Sequence, residues 1–174
     1  MLRSLQWVAD SMAGRVHPEG TDVEVDLARA TTDSRECSPG SIYFVRVGEN
    51  ADGHSFLRAA QEAGAQAAVV ERIDPTLQIP QILVGETTAA LGDLARAHLA
   101  DLRAGGPIEV VGITGSAGKT TTKDLLAGVL TRSGPTVAPV ASFNNEVGCP
   151  LTILKAGLST RYLVLEMGAS GPGH

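Results

Sequence analysis

Apolar positions along the chain change period several times, and each change marks an element. Leu5, Val8, Ala9 and Met12 recur at helical spacing, which predicts a short amphipathic helix over residues 4–13 ended by Gly14. The stretch DVEVDL (22–27) alternates apolar and polar residues as a half-buried strand does, and SIYFV (41–45) follows a Pro39–Gly40 turn as a second strand. Residues 54–63 read as a helix with Phe56, Leu57 and Ala60 inward and Gly64 as its C-terminal cap. QAAVV (66–70) and QILV (81–84) are short apolar runs of the kind buried strands use. Strands and helices mix through this first part, which predicts a small mixed α/β domain over residues 1–84.

Leu91, Leu94, Ala95, His98, Leu99 and Leu102 then mark one face of a helix from Thr87 to Leu102. With the RAGGP that follows (103–107) it makes a helix and linker over 85–106. Beyond it the pattern is regular: strand 108–113, helix 119–132, strand 136–140, helix 150–156, strand 161–166. In that helix Leu125, Leu126, Val129 and Leu130 are expected to face a sheet, with Lys123 and Asp124 on the surface. Strands alternating with helices predict βαβ units and a parallel sheet, so 107–174 reads as the start of a phosphate-loop α/β domain.

Composition narrows the function. At 43% hydrophobic and 19% charged residues the chain can bury a core. Aromatics make up only 3% and the net charge is −5, with no basic run, so the footprint of a nucleic-acid binder is missing. Cys37 and Cys149 lie far apart and form no C-x-x-C, which suits a reducing cytosol. The N-terminus lacks a signal-peptide pattern and no stretch approaches a membrane span, so a cytoplasmic protein without membrane contacts is expected. A monomer is the expected state.

The chemistry concentrates in VVGITGSAGKTTTKD (110–124). The common phosphate-loop pattern, G-x-x-x-x-G-K-[ST], wants glycine where Ile113 stands. The context fits nonetheless: an apolar strand, a glycine turn, Lys119–Thr120, then a helix. Turn amides and the helix N-terminus converge on one spot, with roughly half a positive charge from the helix dipole. Lys119 adds a whole charge, and the Thr120 hydroxyl suits Mg²⁺. A matching acid, Glu166, ends the apolar strand RYLVLE at the edge where open α/β sheets bind ligands. The bland alternatives are a structural β–α turn with a solvated lysine and a solvated strand-end glutamate.

GITGSAGKTTTKD resembles the nucleotide loop of the Mur ligases, the ATP-dependent amide ligases of peptidoglycan precursor synthesis. TTDSRECSPGSIYFVRVGENADGHSFLRAAQEAGAQAAVV (31–70) is similar to their N-terminal domain. FNNEVGCPLTIL (143–154) and LVLEMGASGPGH (165–174) look like the member that joins D-alanyl-D-alanine to UDP-N-acetylmuramoyl-tripeptide. The resemblance implies that Thr114, Gly115, Ser116, Ala117, Gly118, Lys119, Thr120 and Thr121 hold the phosphates of ATP, with Lys119 catalytic. It implies Mg²⁺ on Thr120 and Glu166. It places Asn144, Asn145 and Glu146 beside the phosphates and the muramoyl substrate, and Ser34, Arg35 and His54 on the uridine-nucleotide side. For that last group other readings stay open: TTDSR is also an ordinary polar turn, and His54 also suits a helix start. The family loop commonly has Asn where this chain has Ala117. Family segments bearing a Mg²⁺-binding histidine, a carbamylated lysine and much of the adenine and amino-substrate site have no match up to His174. The 174-residue chain on its own is therefore expected to form no amide. Alternatives are a sister Mur or folate-polyglutamylating ligase, a phosphate-loop kinase, or a non-catalytic nucleotide-binding module.

Overall fold

The computed structural model describes residues 1–48, 52–140 and 145–168. The chain forms two compact units, Met1–Leu94 and Ala95–His174. The first contains β1 (Leu2–Ser4), α1 (Leu5–Ser11), β2 (Arg15–His17), β3 (Glu24–Asp26), β4 (Ala30–Thr31), β5 (Ile42–Phe44), α2 (Leu57–Glu62), β6 (Ala67–Val70) and β7 (Gln81–Leu83). Helix α3 (Thr87–Gly105) runs across the boundary. The second contains β8 (Glu109–Ile113), α4 (Lys119–Leu130), β9 (Thr136–Val137), α5 (Gly148–Leu154) and β10 (Tyr162–Glu166).

In the first unit a five-stranded sheet has the order β2-β7-β6-β5-β4. Its four strands β4 to β7 are parallel, and β2 joins β7 antiparallel at one edge. β1 and β3 pair separately, antiparallel. All four residues of β6 are buried, as expected for a parallel strand covered on both faces. Tyr43, Val45, Leu57, Ala60, Ala68 and Val70 form one core cluster between the sheet and α2. α1 starts where Ser4 caps it, its hydroxyl accepting from the Trp7 amide at 3.3 Å.

Three Asp residues shape the loops of this unit in the same way. Asp26, Asp33 and Asp52 each accept a hydrogen bond from the amide two residues on and so start a 3₁₀ turn. The turn after Asp52 replaces the first part of the helix expected over 54–63. Gly53–Phe56 is 3₁₀ and only Leu57–Glu62 is α-helical. The tighter winding turns Phe56 outward, leaving it 47% exposed rather than packed inward.

In the second unit the sheet is fully parallel, in the order β8-β10-β9. β10 is central and wholly buried. β9 is shorter than the strand expected over 136–140, ending at Val137. Pro135 and Pro139 flank it, and neither offers an N–H to a ladder. α4 also departs from expectation. Leu125 and Val129 point outward, 68% and 63% exposed, while Lys123 is buried and Asp124 is exposed. The loop before α4 fixes which face meets the sheet. That face runs through Lys123, Leu126, Ala127 and Leu130, and Leu125 sits about 200° round the helix from Lys123.

Gly53 makes the closest backbone approach in the first unit. A Cβ there would stand 2.7 Å from the Arg46 amide nitrogen and 2.8 Å from its carbonyl oxygen. Gly53→Ala is expected to destabilise the chain by about 1–3 kcal/mol in urea unfolding. Gly92→Ala, in α3 with open space around it, is expected to stabilise by about 0.5–1 kcal/mol. Equal effects of the two would refute the close approach.

Candidate functional site

The register of β8 against β10 builds the site in the second unit. Ile113 lies opposite Glu166, and the Met167 amide donates to the Ile113 carbonyl at 2.9 Å. The chain leaves β8 at that level, so the glycine loop starts beside the Glu166 carboxylate. Gly118 closes the loop in the left-handed region, with φ +77°, which favours glycine. From its carbonyl, 2.9 Å from the Thr122 amide, α4 begins. An open cleft of about 380 Å³ results, lined by Ser116, Ala117, Gly118, Lys119, Thr120, Thr121 and Glu166.

Two contacts define its chemistry. The Thr120 hydroxyl stands 3.1 Å and 3.3 Å from the two Glu166 oxygens. Glu166 is 1% exposed, a carboxylate withdrawn from water yet facing the N-terminus of a twelve-residue helix. Lys119 folds back to donate to the Gly115 carbonyl at 2.7 Å. The ammonium thus closes over its own loop, within the reach of anything held by the loop amides. Among the described residues no cluster of three or more His, Cys, Asp or Glu forms a ready metal site. Thr120 and Glu166 provide two hard oxygens at one point, a donor set that fits Mg²⁺ only when phosphate oxygens and water complete the shell.

The first unit has a larger cleft, about 880 Å³, lined by Thr32, Asp33, Ser34, Arg35, Tyr43, Arg46, Gly48, Gly53, Phe56 and Ala59. Asp33 holds the Arg35 guanidinium through contacts of 2.6 to 3.2 Å. Those bonds, with that from the Arg35 amide, depress the Asp33 pKa to about 2. Burial pushes the Tyr43 phenol up to about 12, and its hydroxyl donates to the Gly53 carbonyl at 3.2 Å.

His54 lies on a different surface, lining a smaller hollow with Asp52, Arg72 and Asp74. Its Nε2 stands 3.2 and 3.3 Å from the amides of Glu71 and Arg72, and can only accept from them. Nδ1 therefore carries the proton and donates to Asp52 at 2.7 Å. Asp52 also pairs with Arg72, and these contacts, Arg72 foremost, hold its carboxyl far below the usual range. Both ring nitrogens are thus engaged within the protein.

The structure brings Ser116 to Thr121 together with Glu166, and Ser34 together with Arg35. Thr114 and Gly115 are exposed at the start of the loop. Asn145 uses its side-chain oxygen in the turn that leads into α5, accepting from the amides of Val147 and Gly148 at 3.3 and 2.9 Å. Glu146 is exposed, and Asn144 lies outside the described residues. Sequence reading missed Arg46 and the outward Phe56. Arg46 follows an apolar run two residues before the turn glycine Gly48, a faint signal; Phe56 became legible only through the 3₁₀ winding.

Comparison with known proteins bears on the family and the fold. The family model for the Mur ligase middle domain matches residues 113–174, and that described as the Mur ligase family, catalytic domain, matches residues 28–99. The chain belongs to the Mur ligase family. Within it, the chain is similar to the UDP-N-acetylmuramoyl-tripeptide–D-alanyl-D-alanine ligase of Mycobacterium bovis, 42% identical over 160 residues. That alignment covers 82% of this chain and 31% of the relative. The MurF crystal structure from Acinetobacter baumannii superposes with a TM-score of 0.88 at 32% identity, covering 99% of this chain and 37% of that one. The Thermotoga maritima MurF ligase in complex with ADP matches with a TM-score of 0.68 at 35% identity, covering 85% and 34%. The chain spans about a third of the length of the curated relatives it matches.

The Asp33–Arg35 pair gives a pH test. A carboxyl whose folded pKa is depressed adds stability above its ordinary value, and loses it as pH falls through the folded value. The clamp is thus expected to persist from neutral pH down to about 2, where Asp33 protonates. In carboxyl ¹³C NMR titration, Arg35→Ala should return Asp33 toward its ordinary 3.8. An unchanged titration in that variant would show that Arg35 does not hold it.

Proposed function

We propose that the chain is the nucleotide- and UDP-sugar-handling part of an ATP-dependent ligase that joins D-alanyl-D-alanine to UDP-N-acetylmuramoyl-tripeptide. The observation that carries this reading is the Thr120–Glu166 contact at the mouth of the glycine loop. Similarity to ligases of that name, one of them seen with ADP, supports it.

In this reading the amides of residues 114–121 cradle the ATP phosphates, and Lys119 exchanges the Gly115 carbonyl for the β- and γ-phosphates. Thr120 and Glu166 hold Mg²⁺, which when bound supplies positive charge to the phosphate oxygens. The cleft of Ser34 and Arg35 takes the uridine-nucleotide part of the substrate. His54 supports the neighbouring turn, and Asn144, Asn145 and Glu146 belong to the muramoyl side. In the reaction a carboxylate oxygen of the tripeptide bonds to the γ-phosphorus as the bond to the bridging oxygen breaks, giving an acyl phosphate and ADP. The amine of D-alanyl-D-alanine then attacks the acyl carbon, phosphate leaves, and the amine loses a proton.

Electrostatics explains why this loop is needed. Two like unit charges about 4 Å apart repel by about 4 kcal/mol at an effective dielectric near 20. Since about 1.36 kcal/mol is tenfold in rate, each such repulsion slows the first step by about a thousandfold. Lys119 and the loop amides offset it most when charge builds on the transferring group.

Lys119→Ala in the intact ligase is expected to lower turnover at least about a hundredfold, the effect of losing a charge-assisted contact to the transferring group. ADP release that requires both the muramoyl tripeptide and D-alanyl-D-alanine would separate an amide ligase from a kinase. Near-normal turnover in the variant would remove the phosphate-cradle assignment. Residues 1–174 alone, with ATP, Mg²⁺ and both substrates, are expected to release no ADP above background, a result that substrate-dependent turnover would reverse.

A further inference from the structure

Lys123 is among the largest fully buried side chains of the described residues, at 1% exposure. It sits one helical turn after Lys119, on the face of α4 that meets the sheet. Its ammonium donates to the Pro139 carbonyl at 2.8 Å and to the Asp124 carboxylate at 2.9 Å. Asp124 itself is mostly in water. Withdrawing an ammonium from water is costly unless it is paired and hydrogen-bonded, and methionine would fill the same volume without that cost. The position therefore uses the donor rather than the bulk.

What the donor holds is a piece of chain without ladder support. β9 contributes two residues, Thr136 and Val137, to its pairing with β10. Pro139 follows two residues later, and further along the chain come Asn145, whose side-chain oxygen bonds the turn into α5, and Glu146. Lys123 thus continues, from the side of the phosphate helix, the restraint that the strand gives up at Val137.

We propose that Lys123 is a positioning residue: it ties the Pro139 carbonyl to the helix bearing the phosphate loop and so sets where Asn145 and Glu146 stand relative to that loop. This rests on the reading above, in which those residues lie on the muramoyl side. The loop's own contacts, made by its amides, Lys119, Thr120 and Glu166, do not pass through Lys123. Losing the tether therefore separates the two substrates: the muramoyl substrate suffers and ATP does not.

The test uses Lys123→Met, which keeps the volume and removes the donors. In the intact ligase, KM for UDP-N-acetylmuramoyl-tripeptide is expected to rise about ten- to a hundredfold, the weight of a hydrogen bond to a charged group, while KM for ATP stays within about threefold. A parallel rise in both KM values, or in neither, overturns the proposal. A second measurement does not depend on ligase activity. In the 174-residue chain, amide hydrogen exchange at Ala138, Val140 and residues 145–147 should accelerate in the variant at least about tenfold, with residues 119–122 unchanged. Equal protection at Ala138, Val140 and residues 145–147 in both chains overturns the tether even if the ligase reading stands. If ligase activity is absent from the intact wild-type protein but the exchange difference is present, the tether stands and the ligase reading fails. Should the variant not fold, the wild-type chain decides: a scalar coupling between the Lys123 Nζ and the Pro139 carbonyl carbon supports the contact, and its absence overturns it.

Discussion

The parallel register of β8 against β10 is the constraint on which the second unit depends. It sets Glu166 level with Ile113, where the chain turns into the glycine loop, and brings the Thr120 hydroxyl within 3.1 Å of the carboxylate. A slip by one residue would turn Glu166 to the other face of the sheet and leave Thr120 facing an apolar side chain. The burial of β10 guards against that slip, because all its residues are enclosed in the observed register. The carboxylate, the helix N-terminus and Lys119 thus follow from one pairing decision. A phosphate group is the ligand such an arrangement fits, since it is large enough to meet the loop amides and the ammonium together.

The first unit reaches its shape by a different device. Its loops turn where an Asp accepts a bond from the amide two residues ahead, at Asp26, Asp33 and Asp52. At all three turns the same carboxylate takes on a further charged or polar group, the Met1 ammonium and Arg29 at Asp26, Arg35 at Asp33, and both His54 and Arg72 at Asp52. Backbone shape and side-chain placement are therefore coupled through single carboxylates. In the cleft of Ser34, Arg35 and Arg46, the Arg35 guanidinium is held by Asp33, two residues before it in the chain.

Much of this was legible in the sequence, and the failures have physical causes. The strand–loop–helix of the proposed nucleotide site is legible because apolar runs, glycines and Lys119 fall in chain order, and the resemblance to the Mur ligases rests in part on those residues. Short strands such as Ala30–Thr31 and Arg15–His17 escaped, since two or three residues carry no readable period. Phe56 was misassigned because a helical period was assumed through a 3₁₀ turn. Lys123 escapes a reading that expects charged residues at the surface, because its ammonium finds the Pro139 carbonyl and Asp124 as partners while its stem is buried. The engagement of the His54 Nε2 depends on amides seventeen and eighteen residues away, which no local pattern reveals.

The way the five-stranded sheet ends has its own consequence. One border is the two-residue strand β4, and the other is β2, three residues with Arg15 and His17 exposed and Pro18 immediately after. Neither border offers the long, flat, apolar row of free amides and carbonyls that another polypeptide needs as a template for strand addition. Charge and a following proline discourage approach at one side, and brevity does so at the other. Edge-to-edge growth between copies of this chain is thereby disfavoured at the margins of this five-stranded sheet.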